Sequence, residues 1–339
     1  MKQYKVAILG ATGAVGQQML KVLEEQHFPV SQLKLLASAR SAGKRVKFND
    51  HDVIIEEATK DSFAGMDIVL GAVGNDLAKE LLPYAVKERA LVVDNSSAYR
   101  LDDNVPLVIP EINPSDIFTN QGIIANPNCA TIIALVAINK LHEYAHIESM
   151  IVSTYQAVSG AGNPGMEELE VQAREVLDHQ PITAKAFPFQ IAFNLIPQIG
   201  DFNDMGYSSE EMKMQNEGRK ILHDQDLKVT CTCIRIPVFR SHSESITLKF
   251  KKPIDVEKAW ELLKDAPGVK LVDNPQQGLY PMPLDTTDQD LVYVGRIRND
   301  MSRDDGCSLT LWCCGDQIRK GAATNAVQIA MEYIKRDAD

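Results

Sequence analysis

Residues 4–16, Y-K-V-A-I-L-G-A-T-G-A-V-G, decide the fold of the N-terminal part of the chain. The apolar start of this segment predicts a short buried strand, and the pattern over residues 17–26 predicts a helix. The glycines between them permit a tight turn and let a dinucleotide pyrophosphate approach the backbone beside the helix N-terminus. The spacing is G-x-x-G-x-x-G rather than G-x-G-x-x-G, and similar turns also occur for packing alone. Because the loop lies between a strand and a helix, we expect a nucleotide site.

The loop after the next predicted strand, residues 33–37, indicates which nucleotide is bound. NAD enzymes usually carry an Asp or Glu in this loop, which binds the ribose hydroxyls. This chain has S-A-R-S-A-G-K at residues 38–44, with Arg40 and Ser41 in its centre. A guanidinium suits bidentate contact with the 2′-phosphate of NADP. The alternative is a solvated loop arginine without a ligand.

Alternating strands and helices predict a parallel, doubly wound sheet for the first part of the chain. Strands are predicted at residues 53–56, 67–72, 90–94 and 107–109, and a helix at residues 76–88 with Asn75 as its cap. Arg100 follows a strand in N-S-S-A-Y-R, where ligands lie in such sheets. It could bind an anion, or it could pair with the neighbouring Asp102 and Asp103.

A candidate nucleophile follows in the segment A-N-P-N-C-A-T-I, residues 125–132. Residues 122–125 predict a strand that Pro127 ends, and residues 129–141 predict a buried helix with Asn128 as its N-cap. Cys129 then lies in the first helical turn, where the macrodipole favours a thiolate. The alternative is a small buried residue without a chemical role.

The pattern changes after this helix and predicts a second domain of α+β type. Strands are predicted at residues 147–158, 228–238, 245–251, 290–297 and 307–313, with helices at residues 166–177 and 256–264. Few helices separate these strands, which favours an antiparallel or mixed sheet. We expect the last helix, residues 320–335, to pack back on the first domain.

Few residues of the second domain are candidates for catalysis or ligand binding. His242 lies between two predicted strands, after Arg235, so both side chains could face one pocket; the alternative is a loop histidine bonded to nearby hydroxyls. Gln156 lies near the S-G-A-G loop. Glu210 and Lys213 are three residues apart on a predicted helix, and their alternative interpretation is a solvated ion pair. The other histidines are expected at the surface: His27, His51, His142, His146, His179 and His223.

Composition limits the class of protein. The chain has 339 residues, and 35 Lys and Arg against 46 Asp and Glu give a net charge of −11. No basic patch stands out, which argues against nucleic acid as a partner. The six cysteines form no C-x-x-C pair, so we expect free thiols, a reducing compartment and no metal site. No apolar run is long enough for a membrane span or a signal peptide, which favours a cytoplasmic protein.

Six motifs together resemble the aspartate-β-semialdehyde dehydrogenase family. They are G-A-T-G-A-V-G, N-P-N-C-A-T, Y-Q-A-V-S-G-A-G, E-E-M-K, R-I-P-V-F-R-S-H-S-E and G-D-Q-I-R-K-G-A-A-T-N. The resemblance runs from residue 5 to about residue 330 in the order of that family, and the short S-G-A-G-N-P-G segment is similar to the Gram-positive forms.

The resemblance implies an architecture like that of glyceraldehyde-phosphate dehydrogenase. An α/β Rossmann-type NADP-binding domain would span residues 1–128 and be completed by the helix at residues 318–339. An α+β domain for catalysis and dimerisation would span residues 129–317. The partners implied are a small substrate, inorganic phosphate and a second copy of the chain in a homodimer.

The resemblance also implies a role for each matching residue. Cys129 would form an acyl-thioester, His242 would act as general acid and base, and Gln156 would orient the substrate. Arg235 would bind the α-carboxylate and Glu210 the ammonium group, while phosphate would be held by Arg100, Asn128 and Lys213. The residues implied in NADP contact are Thr12, Gly13, Ala14, Val15, Arg40, Ser41, Ser159, Gly160 and Gln317.

The implied reaction is the reversible, NADP-dependent reductive dephosphorylation of L-4-aspartyl phosphate to L-aspartate 4-semialdehyde. It serves the biosynthesis of lysine, threonine, methionine, isoleucine and diaminopimelate. Two alternatives stay open at this point. A reductase of N-acetylglutamyl phosphate shares the glycine loop, Cys and His, but its substrate lacks a free ammonium group. A nucleotide-binding regulatory protein would leave Cys129 merely buried.

Overall fold

The computed structural model describes residues 2–336, which form two compact units. The first unit contains the chain up to Asn128 and again from Ala322 onward, and the second unit is Cys129–Gly321. In the part of the chain that the structure describes, no helix combines the length and apolar character that a bilayer crossing requires.

The first unit is built on a seven-stranded sheet. Its elements before Asn128 are β1 (Tyr4–Leu9), α1 (Ala14–Glu25), β2 (Val30–Ala37), β3 (Arg45–Phe48), β4 (His51–Glu57), β5 (Ile68–Gly71), α2 (Asn75–Lys87), β6 (Leu91–Asp94) and β7 (Ile123–Ala125). The strand order is β3-β4-β2-β1-β5-β6-β7, and only the β3–β4 pair is antiparallel. The chain changes direction between β1 and β5, which is the switch point where such sheets bind ligands.

Both faces of β1 are buried. Val6 and Ile8 point into an apolar cluster that includes residues of α1, and Ala7 and Leu9 point into another that includes residues of α2. Burial of Val6, Ile8 and Leu9 contributes roughly 1.5–3 kcal/mol for each side chain. Burial on both sides is the reason for the continuous apolar run in the sequence, and it fixes the loop after Leu9 at the sheet edge.

Three local expectations for the first unit were wrong. Residues 107–109 form no strand, because Pro106 and Pro110 border them and leave only an isolated bridge from Leu107 to Ala125. The cap of α2 is Gly74 rather than Asn75, whose amide instead bonds Ser97. The antiparallel strand β3 was not predicted at all, since it has only four residues, R-V-K-F, and two of them are exposed and charged.

The second unit contains a mixed six-stranded sheet, in agreement with the sequence. Its elements are α3 (Cys129–Ala145), β8 (Ile147–Gln156), α4 (Asn163–Leu177), α5 (Ser209–Ile221), β9 (Lys228–Arg235), β10 (His242–Phe250), α6 (Val256–Lys264), β11 (Val269–Leu271), α7 (Pro283–Thr286), β12 (Val292–Asn299) and β13 (Ser308–Gly315). The strand order is β11-β12-β13-β10-β8-β9.

The register of this sheet brings the ends of three strands together at one edge. Strands β8 and β9 are parallel and end on the pair Gln156–Arg235. Strand β10 is antiparallel to β8, so its first residue, His242, lies beside the end of β8. Helix α3 is apolar on nearly all sides because it is buried, and it contacts both β10 and α5.

The last helix, α8 (Thr324–Arg336), belongs to the first unit. Ala326, Val327 and Ile329 on its buried face join the apolar cluster of β1 and α1. It begins four residues later than the expected start at Lys320, because Arg319–Ala323 form a π-helical turn. In a π-helical turn the backbone hydrogen bonds join residues five apart instead of four, and such turns are frequent at functional sites.

Candidate active site

Cys129 is the first residue of α3. The unpaired backbone N–H groups of a helix N-terminus, together with its macrodipole, favour an anion at this position. Gly321, in the π-helical turn, packs directly on this residue, since a Cβ atom added there would lie 2.9 Å from Cys129 Cβ. Gly321 stands in the motif R-K-G-A-A-T-N, but no local pattern in the sequence marks it as a neighbour of Cys129.

His242 faces the thiol. Its Nε2 lies 3.4 Å from Cys129 Sγ, and its Nδ1 accepts a 3.0 Å hydrogen bond from the backbone N–H of Ala157. Because Nδ1 is an acceptor, the ring proton of the neutral imidazole belongs on Nε2, the nitrogen that faces sulfur. His242 is fully buried, and burial together with the charge of Arg235 lowers its pKa to about 3, opposed by Glu210.

Gln156 links His242 to the helix α5. Its Nε2 lies 3.3 Å from His242 Nε2 and donates a 3.2 Å hydrogen bond to Glu210 Oε1. Its Oε1 accepts a 3.0 Å bond from the hydroxyl of Thr154, which is completely buried. Thr154 therefore fixes the orientation of the Gln156 amide. No sequence motif pointed to Thr154, but it stands two residues before Gln156 and so shares its face of β8.

Glu210 is buried rather than solvated, being only 8% exposed. It lies in the first turn of α5, whose start is fixed by a capping box of Ser208 and Glu211. Its Oε2 accepts a 2.8 Å bond from Lys213 Nζ, the ion pair that the spacing suggested. Lys213 is partly exposed, whereas Glu210 is buried and its other carboxyl oxygen faces Gln156.

Arg235 places a second charge at this edge of the sheet. Its Nη1 donates a 2.6 Å hydrogen bond to Ala157 O, and its guanidinium lies 5.9 Å from the Phe187 ring centre. Burial lowers the pKa of Arg235, whereas Glu210 and the Cys129 thiol raise it. The remaining N–H groups of a guanidinium form a planar fork that matches a carboxylate.

The residues proposed to hold phosphate are divided between the units. Arg100 and Asn128 lie in the first unit, and both are buried. Arg100 donates 2.9 Å and 2.8 Å hydrogen bonds to the carbonyl oxygens of Asn126 and Asn95. Lys213 lies in the second unit.

The glycine loop of the first unit fits a nucleotide pyrophosphate. Gly10 has a φ of 90°, and a Cβ there would lie 2.3 Å from Ala72 O, so the protein itself requires this glycine. A Cβ at Gly13 would meet only Gly10 O, at 3.5 Å, so packing does not require glycine there. Gly13 is also the N-cap of α1 and provides no side-chain cap, which leaves the helix N-terminus suited to an anion.

The other residues expected to contact NADP lie as follows. Thr12 belongs to the same loop, Ala14 and Val15 begin α1, and Arg40 and Ser41 lie in a short 3₁₀ helix, Ala39–Ser41, with Arg40 exposed. In the second unit Ser159 and Gly160 lie in another 3₁₀ helix, Val158–Ala161. Gln317 donates to the Ser159 hydroxyl and accepts a 2.8 Å bond from the Ser241 N–H.

Comparison with protein families gives two matches that together span most of the chain. Residues 5–120 match the model described as "Semialdehyde dehydrogenase, NAD binding domain". Residues 138–320 match the model described as "Semialdehyde dehydrogenase, dimerisation domain". The first unit therefore matches an NAD-binding domain family, and the second matches a dimerisation domain family.

Characterised relatives resemble the chain over its full length. It is 50% identical to the aspartate-semialdehyde dehydrogenase of Aquifex aeolicus, with 98% of each chain covered. It is 48% identical to that of Bacillus subtilis, with 98% of this chain and 97% of the relative covered. The crystal structure of aspartate semialdehyde dehydrogenase II from Vibrio cholerae, complexed with ASA, matches with a TM-score of 0.96 and 43% identity over 99% of both chains. The protein therefore belongs to the aspartate-semialdehyde dehydrogenase family.

Proposed function

We propose that this oxidoreductase catalyses the NADP-dependent, reversible reductive dephosphorylation of L-4-aspartyl phosphate to L-aspartate 4-semialdehyde and phosphate. The observation that carries the proposal is the pair of Cys129 Sγ, at the start of α3, and His242 Nε2, 3.4 Å apart. A thiol beside a buried imidazole is the arrangement that acyl transfer through a thioester needs. The reaction is a step of amino-acid biosynthesis from aspartate.

Cys129 is the covalent group in this mechanism. In the biosynthetic direction its thiolate attacks the acyl carbon of aspartyl phosphate, the bond from that carbon to the phosphate oxygen breaks, and phosphate leaves. Arg100, Asn128 and Lys213 are proposed to hold the phosphate group. When bound, NADPH supplies the hydride that converts the resulting thioester to a thiohemiacetal. The C–S bond then breaks, which releases the aldehyde and restores the Cys129 thiolate.

His242 acts through its Nε2–H. A second proton on Nδ1 would displace the hydrogen bond from Ala157, and burial holds the pKa of His242 at about 3. The imidazole is therefore neutral at the pH of the reaction, and its Nε2–H can hydrogen-bond first to sulfur and then to the substrate oxygen as charge develops there. The neutral ring keeps this proton: as a hydrogen-bond donor, Nε2 stabilises the oxyanion that forms on hydride addition, and the oxyanion then collapses to the aldehyde and the Cys129 thiolate.

Arg235, Glu210 and Gln156 are proposed to position the substrate. The guanidinium of Arg235 pairs with the α-carboxylate, and the buried carboxylate of Glu210 pairs with the ammonium group. Gln156 is hydrogen-bonded to Glu210 and lies beside His242, so it fixes the proposed ammonium ligand relative to the imidazole. This arrangement favours aspartate semialdehyde over the N-acetylglutamyl alternative, because an acetylated nitrogen has no charge for Glu210 to neutralise.

NADP is proposed as the preferred cofactor. The uncapped N-terminus of α1 and the open space at Gly13 suit the pyrophosphate, and Arg40 with Ser41 suits the 2′-phosphate. Ser159, Gly160 and Gln317 are proposed to contact the nicotinamide half. A relative from Candida albicans, 26% identical with a TM-score of 0.76, has been crystallised with NADP.

The second unit is proposed to mediate the homodimer. Its sheet and the loop after α4 carry exposed apolar side chains, including Ile151 at 56% and Phe193 at 66% exposure. Exposed side chains of this size are candidates for burial in an interface where they form a contiguous patch. The cytoplasm is the proposed location, because a catalytic thiolate must stay reduced and the six cysteines are all free.

A single assay tests the proposed reaction. Aspartate semialdehyde, phosphate and NADP should yield NADPH, followed by absorbance, and omission of phosphate should abolish steady turnover. Cys129→Ser should abolish activity while NADP binding remains, since a serine hydroxyl is scarcely ionised. Steady turnover by Cys129→Ser would exclude the thioester mechanism. N-acetylglutamate semialdehyde serves as the competing aldehyde, and a higher kcat/KM with it would favour the related reductase.

A further inference from the structure

A second group of chemically active side chains lies away from the Cys129 end of α3. His142 stands in the last turn of α3, His146 follows its end, and Asp224 follows the end of α5. Each offers one nitrogen or oxygen atom, and these three atoms all lie within 4.8 Å of one another. His142 and His146 are neighbours along the chain, whereas Asp224 is distant in sequence and joins them only through the packing of α3 on α5.

In this group, the side-chain nitrogen and oxygen atoms that could bind a metal ion lie close together. His146 Nε2 lies 3.2 Å from Asp224 Oδ2, yet both atoms are buried and neither has a hydrogen-bond partner in the described part of the chain. The rings of His142 and His146 lie 4.9 Å apart between centroids. His146 and Asp224 are thus in contact as an ion pair without a hydrogen bond, and two imidazoles with a carboxylate are a common ligand set for zinc.

The distances suit a transition-metal ion. With bonds of 2.0–2.1 Å, the ligand atoms of a tetrahedral zinc ion lie about 3.4 Å apart. The His146–Asp224 pair already has this separation, at 3.2 Å, and the ligand atom of His142 lies within 4.8 Å of both. His142 Nδ1 accepts a 3.2 Å hydrogen bond from the Ile147 N–H, so this bond must break before either nitrogen of the neutral ring can bind a metal ion.

The charged side chains around His142 would act on a bound cation in opposite directions. Asp224 and Glu143 lie near His142 and would attract a cation, whereas Lys251 would repel one. The three ligands together carry one negative charge, so a dication with a bound water as its fourth ligand is the best match.

We propose that His142, His146 and Asp224 bind a zinc-type transition-metal dication that joins the end of α3 to the end of α5. The same helices carry Cys129 and Glu210 at their other ends, so the ion fixes the two helices that present the nucleophile and the ammonium ligand. Its primary effect is on the stability of the second unit.

The test must separate this site from Cys129 and His242, whose thiol and imidazole are themselves zinc ligands. Cys129→Ser is therefore the background for every measurement. After EDTA treatment and dialysis, this protein should bind one equivalent of Zn²⁺ in competition with a chromophoric chelator, and its Tm should rise. Adding His146→Gln or Asp224→Asn should weaken binding at least 10-fold and remove the rise in Tm. Adding His179→Gln, at an exposed loop position, should change neither.

Co²⁺ gives an independent readout of the ligands. Its bound form should show d–d absorption without a thiolate charge-transfer band, because the site has only nitrogen and oxygen donors. Absence of stoichiometric Zn²⁺ binding in the Cys129→Ser background overturns the proposal. Binding that neither His146→Gln nor Asp224→Asn weakens overturns it equally, and circular dichroism confirms that each variant is folded.

Discussion

The backbone N–H of Ala157 donates a 3.0 Å hydrogen bond to Nδ1 of His242, and this bond determines which nitrogen of the ring faces Cys129. Ala157 directly follows β8, and His242 begins the neighbouring strand β10, so the sheet register itself holds the imidazole. The bond orients the ring and at the same time disfavours its protonation. The thiol is therefore paired with a neutral imidazole rather than with an imidazolium.

This relationship predicts that His242 does not titrate near neutral pH. Nitrogen-15 NMR of histidine-labelled protein should show Nε2 protonated and Nδ1 unprotonated from pH 5 to pH 8, because burial lowers the pKa to about 3. Between that value and 6.5 the unfolded chain binds the additional proton, so the unfolding free energy must fall as pH falls through this window. His242→Asn should reduce this loss. A His242 titration midpoint near pH 6.5 would contradict the assignment.

Substrate recognition gives the second prediction. Arg235→Lys keeps the charge but removes the planar fork, and it should lower kcat/KM roughly 10-fold or more, since a charge-assisted bond is worth about 1.5–3 kcal/mol. Cofactor binding should be unchanged. Glu210→Gln should harm aspartate semialdehyde more than an analogue without the amino group, because the buried ammonium loses its counter-charge. The measurement is kcat/KM for both aldehydes, and equal losses would mean that Glu210 does not contact the ammonium group.

Part of this site follows from the sequence. The strands predicted at residues 147–158 and 228–238 are longer than β8 and β9, which end at Gln156 and Arg235, so the roles of these two residues were predicted from the family resemblance alone. Cys129 is visible in the local pattern, since the apolar run of α3 starts directly at it. The alternation of side chains along β10 places Glu244 on the same face as the fully buried Ile246 and Leu248.

The remaining features depend on contacts between residues distant in sequence. The group His142, His146 and Asp224 forms only when α3 packs on α5, so the expectation of surface histidines had no local signal against it. The strand expected at residues 107–109 failed for a different reason, since its apolar residues are buried but its proline neighbours prevent a ladder.

The third prediction concerns the cofactor. Arg40→Asp should weaken NADP far more than NAD, because it replaces a guanidinium suited to the 2′-phosphate with a carboxylate suited to ribose hydroxyls. The ratio of kcat/KM for the two cofactors measures the change. Lys47→Asp, at an exposed position of β3, is the matched control for the same change in charge. An unchanged ratio in Arg40→Asp would show that Arg40 does not bind the phosphate.

Glu244 gives the last prediction, which concerns stability. It lies in the middle of the second sheet, paired with Thr154 on one side and Cys313 on the other. It is completely buried, and within the described residues neither of its carboxyl oxygens has a hydrogen-bond partner. Burial, and to a smaller extent Cys233, raises its pKa well above 4.5, so the folded protein holds this carboxyl protonated.

The sign of the pH effect follows from linkage. Above pH 4.5 the unfolded chain releases this proton while the folded chain retains it, so the free energy of unfolding decreases as pH rises toward the folded-state pKa. The loss is about 1.4 kcal/mol for each pH unit within that window. Glu244→Gln is neutral at every pH and should therefore become more stable than the wild type as pH rises from 5 to 8. Urea unfolding at fixed protein concentration measures this, with Glu88→Gln as the exposed control. If the difference between Glu244→Gln and the wild type does not change over this range, Glu244 is ionised in the folded protein and must have a partner.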